Sequence, residues 1–390
     1  MVRLRVGSRS LLVAIVVLIV LAVAACAPQT RPSTGALDTP EHHTFTGMKL
    51  LGQEKYADAQ RAFELALELD PKYSQAHAGM GLCLVYTGNP QAARESLERA
   101  WRYAATNPEK LLVYTSRIRL ITETRTDANW LTRARSEFDE AVRLDATCAP
   151  AYYFMGRAEK AALEFDAAGR MYKKVLELNA QYTAEADAEW RFIQKVVRAM
   201  PGTKTGKQIA LVEALTRADA AALLMEELKI DVLYKKRTPR TFDPSFKEPR
   251  TASGPAAAQN PLPADVADHP LRMDIEGVLS LGVRGLETYP DGYFHPADQV
   301  SRAAYAMMLE DILIKVTGDQ ALATRFIGAK SPFPDLRADL PYFNAVMVVT
   351  TRGIMTPADM TTGEFAPLGP VAGVDALLVI RRMKEELKID

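Results

Sequence analysis

Cysteine is nearly missing from this chain: there are three in 390 residues, at positions 26, 83 and 148. No disulfide framework can be built on so few. Cys83 lies in the apolar stretch Gly81-Leu82-Cys83-Leu84-Val85 and reads, with Cys148, as a core thiol. Histidine is almost as scarce. His42, His43, His77, His269 and His295 form no metal-binding or catalytic spacing such as H-E-x-x-H. A phosphate-cradling loop is missing too. Gly202-Thr-Lys-Thr-Gly206-Lys207-Gln208 is one residue short and lacks the hydroxyl that would reach magnesium. No G-x-S-x-G nucleophile turn occurs. Nor is there an excess of one charge: 48 basic residues face 48 acidic ones. That excludes the basic footprint of a nucleic-acid binder. The expectation is a protein that is not an enzyme, with no catalytic residues, no metal ligands and no cofactor.

Only one long hydrophobic run exists, and it sits at the start. Arg3, Arg5 and Arg9 precede an unbroken apolar stretch from Leu11 to Ala25. At 15 residues it is short of the roughly 20 that span a bilayer. A basic segment followed by a short apolar run is the pattern of an export signal. It ends in Val23-Ala24-Ala25-Cys26, which resembles the bacterial lipobox. The resemblance implies a signal peptide over 1–25, a covalent lipid on Cys26 and a polar tether over 26–40. Ala27 in place of aspartate resembles sorting to the outer membrane, facing the periplasm. In a Gram-positive cell the same signal implies the outer leaflet of the cytoplasmic membrane. Without the three signal arginines, 45 basic residues face 48 acidic ones.

A 34-residue period follows. Gly47, Ala59, Phe63 and Ala66 recur as Gly81, Ala93, Leu97 and Ala100. Ala134, Phe138 and Ala141 recur at the same spacing as Ala168, Tyr172 and Val175, with Gly156 placed 12 residues before Ala168. Small residues let two helices approach closely, and a large one fills the groove between them. The pattern resembles the tetratricopeptide repeat, with four copies over 41–180. The third copy is irregular: Ala93 to Ala134 spans 41 residues, and Thr122 stands where the glycine belongs. Its first helix is expected to be longer, or its turn enlarged. Ala184 to Met200 continues the array as a capping helix. Such arrays bind peptides or proteins in a concave groove. The groove positions read here are Thr44, Met48, Leu51, Ala78, Leu82, Val85, Tyr86 and Tyr153, with cations only in the last copy, at Arg157 and Lys160. So apolar a set excludes a carboxylate clamp and points to an apolar helix or strand of a partner protein.

The texture changes in the second half. Gly282, Asp291-Gly292-Tyr293-Phe294-His295-Pro296 and Val300-Ser301-Arg302-Ala303 lead into an apolar helix, and Gly353, Gly363-Glu-Phe365-Ala-Pro367 and Val371-Ala-Gly373-Val repeat the order. Gly282 to Gly292 and Gly353 to Gly363 are both ten residues; Phe294 to Arg302 and Phe365 to Gly373 are both eight. An earlier, degenerate copy carries Leu215-Thr216-Arg217-Ala218-Asp219. The pattern resembles the S-layer homology domain. It implies three units packed with pseudo-threefold symmetry: 181–236, 262–317 and 333–390, the first two joined by a Pro-rich linker over 237–261. Thr216 with Asp219 makes a capping box, and Ser301 is a second N-cap. Arg217 and Arg302 therefore stand at first helical positions, where a cation opposes the helix dipole and an anion would relieve it. In the family this arginine helps hold an acidic cell-wall carbohydrate. Gly373 replaces the third arginine. Tyr289, Tyr293 and Tyr342 are candidate sugar-stacking residues.

The chain thus reads as mainly α: a tetratricopeptide-type α-solenoid, then a helix-rich S-layer-homology-like triad, behind a lipoprotein signal peptide. The expected role is non-catalytic. The triad would bind peptidoglycan or an acidic wall polymer, the repeats would recruit a protein, and the lipid would hold a membrane. The alternative is an assembly factor for an outer-membrane or secretion complex, with the triad as scaffold only.

Overall fold

A computed structural model describes residues 30–237 and 262–389. The export signal, Cys26 and nearly all of the Pro-rich linker lie outside the described residues. The chain divides into two compact units, Met1–Trp190 and Arg191–Asp390. The division falls inside a helix, ten residues beyond the 180/181 boundary expected from the repeats.

The first unit is a stack of helix pairs. They are α1 (Pro40–Gly52) with α2 (Tyr56–Leu69), α3 (Ser74–Tyr86) with α4 (Pro90–Tyr103), α5 (Asn107–Thr124) with α6 (Trp130–Leu144), and α7 (Ala149–Ala161) with α8 (Phe165–Leu178). A ninth helix, α9 (Thr183–Ala199), follows. Local chemistry sets the starts. Thr39 and Asn89 accept from backbone N–H groups of the first turn, each followed by a proline. Thr106 and Glu109 close a capping box before α5. Each cap satisfies donors the helix leaves open and adds about 1 kcal/mol.

The small-and-large pattern becomes a fit. A Cβ on Gly47 would sit 2.6 Å from the Phe63 ring, one on Gly81 2.9 Å from Leu97, and one on Gly156 2.7 Å from Tyr172. Phe63, Leu97 and Tyr172 are all fully buried as a result. In the third pair Thr122 fills that space, and Phe138 stays half-buried, edge-on to Tyr152. The irregular spacing also has a source. Helix α5 has 18 residues against 13 in α3, which accounts for most of the seven extra. First helices of successive pairs lie side by side, α1 on α3, α3 on α5 and α5 on α7. Cys83 and Cys148 are buried free thiols.

The second unit contains α10 (Lys204–Ile209), α11 (Arg217–Ala222, running into a π turn over Leu223–Glu227), α12 (Ile230–Arg237), α13 (Arg272–Leu281), α14 (Arg302–Thr317), α15 (Phe343–Thr351) and α16 (Gly373–Leu387). Three parts close a ring through backbone bonds just before α11, α14 and α16. Arg217 N donates to Asp298 O (2.8 Å), Arg302 N to Gly369 O (2.9 Å) and Gly373 N to Val212 O (2.9 Å). Leu215 joins both neighbours at once: its N donates to Val371 O, and its O accepts from Val300 N. The two later parts match in detail. Asp265 accepts from the N–H groups of Phe294 and His295, and Asp335 from those of Phe365 and Ala366. The capping box at Thr216 and the cap at Ser301 both form.

Candidate functional site

The first unit carries a groove of about 1040 Å³. Its walls come from every pair and from the segment that leads into α9. Met48 and Leu51 come from α1, Tyr86 from α3, Leu111, Leu112 and Arg119 from α5, Tyr153, Phe154 and Arg157 from α7, and Tyr182 from the turn before α9. Tyrosine dominates it. Tyr56 and Tyr86 stack with centroids 5.2 Å apart, and Tyr153 and Tyr182 stack at 4.6 Å with planes 6° from parallel. Arg119 lies between the two pairs. Its guanidinium carbon is 5.4 Å from the Tyr86 ring centre and 4.5 Å from that of Phe154. Phe154 in turn meets Tyr182 edge-on at 5.2 Å. A continuous ladder of rings with one cation in it therefore lines the site. Stacked and cation–π contacts of this kind contribute about 0.5–1.5 kcal/mol each. The ladder is thus held in place before any ligand arrives.

Met48, Leu51, Tyr86, Tyr153 and Arg157 line the groove as the sequence placed them. Three expectations are corrected. Leu82 and Val85 do not line the groove; they pack in the core clusters around α3, 0% and 8% exposed. Lys160 is not among the lining residues; it pairs with Glu189 at 2.7 Å. Arg157 pairs with Glu123 at 3.3 Å. Cations are not confined to the last pair, since Arg119 belongs to the third. Tyr56, Arg119, Phe154 and Tyr182 were missed. Arg119 was legible: it stands three residues before Thr122, as Tyr153 stands three before Gly156. Tyr182 lies beyond the last repeat, where a period has nothing to say. Burial pushes the hydroxyls of Tyr153 and Tyr182 above the usual tyrosine range. Both therefore stay protonated and can donate at neutral pH.

In the second unit the two arginines are occupied. Arg217 is 6% exposed. Its Nε donates to Phe294 O (2.9 Å), and its terminal nitrogens donate to Gly285 O (2.6 Å) and Glu287 O (2.7 Å). The guanidinium lies over the Tyr289 and Phe294 rings, 4.6 and 4.7 Å from their centres. This corrects the expectation of an open anion-binding residue at Arg217: the side chain is buried, and three of its five N–H donors clasp the next part of the ring. Burial pulls its pKa below the usual arginine value. Arg302 repeats the clasp with fewer bonds, Nε to Phe365 O and NH2 to Thr356 O, both 2.6 Å. At the third position a Cβ on Gly373 would sit 1.7 Å from Ile209 O. The shorter loop after α10 closes the space an arginine would need. Tyr289 and Tyr293 are 42% and 45% exposed and both contact His295. Tyr342 is half-buried at the start of α15.

No cluster of three or more His, Cys, Asp or Glu among the described residues could hold a metal ion. No helix among them is long and apolar enough to cross a membrane. Tandem helix pairs with a preformed groove are the architecture of protein–protein interaction arrays, and residues 50–110, from the end of α1 to the first turn of α5, match the tetratricopeptide repeat family.

Proposed function

We propose that the protein is a non-catalytic adaptor whose helix-pair array holds a segment of a partner protein in its groove. The observation that carries this is the tyrosine ladder: two stacked pairs lining one cavity. Rigid aromatic surface is the kind of wall that anchors peptides at low entropic cost. The test is affinity purification from the native cell with the full chain and with a Tyr86→Ala plus Tyr182→Ala variant. A protein retained by the former and released by the latter supports the reading. Equal recovery by both overturns it.

A second reading concerns the other end. The ring of three parts, with arginine at the same register in two of them, supports the resemblance to S-layer homology domains. Under it the second unit attaches to peptidoglycan or an acidic wall polymer. A lipid on Cys26 then holds the chain in the outer membrane, facing the periplasm. Of the two arginines, Arg302 is the one to test, because it makes fewer bonds than Arg217 and is less buried. The measurement is co-sedimentation of the full chain with purified sacculi, with and without Arg302→Glu. Loss of pelleting in a folded variant supports wall attachment. A wild type that stays in the supernatant leaves the array as an assembly factor with the ring as scaffold. Radiolabelled palmitate incorporated by the wild type and not by Cys26→Ala tests the anchor.

A further inference from the structure

Of the cations that line the groove, Arg157 has an ion-pair partner in Glu123 and Arg119 has none among the described residues. Arg119 is half-buried at the middle of the tyrosine ladder. Two of its nitrogens, Nε and NH2, donate to a single neutral acceptor, the Tyr86 hydroxyl, at 3.2 and 3.0 Å. No described carboxylate lies within ion-pair distance of it. The acid one turn further along α5, Glu123, is taken by Arg157. Arg117, on the same helix, has carboxylate partners in Glu98 and Glu137. A guanidinium drawn out of bulk water without an opposite charge costs free energy, which ring faces recover only in part. An incoming carboxylate would recover the rest, because the guanidinium fork matches its geometry.

We propose that Arg119 anchors an aspartate or glutamate side chain in the interior of the partner's segment, with the flanking apolar residues lying on the tyrosine pairs. The inference rests on the reading of the groove as a peptide site. An interior acid fits better than a chain terminus because the lining continues on both sides of Arg119. Met48 and Tyr56 lie toward one end, Tyr153 and Tyr182 toward the other. The charges along the groove support one central acid rather than an acidic run. Glu54 belongs to the first pair and Glu185 to α9, so both ends of the groove carry negative charge.

The test starts from a linear dodecapeptide phage library panned on the full chain. The consensus peptide is then made with acetylated and amidated ends, and its affinity is measured by calorimetry for wild type, Arg119→Lys and Arg119→Gln. Enriched peptides should share one Asp or Glu among apolar or aromatic neighbours. Replacing that acid by its amide should weaken binding to the wild type about tenfold or more. It should hardly matter to Arg119→Gln, and Arg119→Lys should keep the preference. Equal affinity of wild type and Arg119→Gln for the amide peptide shows that the variant is folded. Groove binders that carry no acid, or an acid whose loss costs both proteins the same, overturn the inference and leave the groove reading intact. A peptide that binds only with a free C-terminus also overturns it. If no enriched peptide is lost on Tyr86→Ala plus Tyr182→Ala, the groove reading itself falls, and the inference with it.

Discussion

The two units repeat themselves in different ways. In the first, each helix pair meets only the pairs before and after it, so the repetition is linear. Stability in such arrays is close to a sum over repeats and their interfaces. The first unit therefore tolerates an irregular member. The third pair has a threonine for its glycine, a half-buried Phe138 and a lengthened α5, and the pairs on either side are unaffected. In the second unit each part bonds to both others, so the repetition is cyclic. A change in one part is felt by its neighbour. The shortened loop after α10 in the first part is met by glycine at 373 in the third.

That contrast predicts a ranking of damage. Gly373→Ala should have the largest effect. The new methyl meets a backbone oxygen rather than a mobile side chain, and we expect about 4 kcal/mol of destabilisation. Hydrogen exchange should show the loss spread over all three parts of the second unit. If protection is lost only around α16, the cyclic description is wrong. Next is Arg217→Met, which leaves three carbonyls without their donors and should cost about 3 kcal/mol by urea denaturation. Arg302→Met, with two bonds, should cost less. The reverse order would mean the ring faces matter more than the hydrogen bonds.

Gly156→Ala should cost about 1–3 kcal/mol, because the Tyr172 ring has to move. Here exchange should rise in α7, α8 and their immediate neighbours and leave α1 and α2 protected. Spread across the whole unit would make the array as cooperative as the ring. The smallest effect belongs to the segment before α1. Asp38 accepts from both terminal nitrogens of Arg31, at 2.7 and 2.9 Å, and contacts His43 at 2.8 Å. These partners hold its carboxyl well below the usual carboxylate range. A depressed value means the stabilisation is present above the ordinary carboxylate pKa and disappears as pH falls through the folded one. Protection of residues 30–40 should therefore decline on acidification below about pH 4 in the wild type. It should already be low and pH-independent in Asp38→Asn. A wild-type profile that matches the variant's removes the role given to Asp38.

How much of this the sequence showed follows the same division. The glycine-to-large spacing of the repeats was legible because each pair reports its own fit: Gly47 with Phe63, Gly81 with Leu97, Gly156 with Tyr172. The Thr216 capping box and the ten- and eight-residue spacings in the second half were legible for the same local reason. What was not legible depends on which elements meet. Leu82 and Val85 hold the same repeat positions as Met48 and Leu51. Leu82 is more deeply buried than Met48, whereas Val85 is buried as deeply as Leu51, and neither Leu82 nor Val85 lines the groove. An arginine at a helix start looks the same in sequence whether it awaits an anion or clasps carbonyls. For Arg217 the structure decides for the carbonyls.

The ring also has a bearing on how the chain is made. Its first part includes Val212 and Leu215, and the bonds that complete it come from Val371 and Gly373, about 160 residues later. A ribosome releases the chain from its N-terminal side. The helix pairs can thus settle one by one as they emerge, while Leu215 N and Val212 O wait for their partners until residue 373 has emerged. For that interval the early part of the second unit is a nascent chain without its closing partner, the stage at which a holdase or a protease would find it.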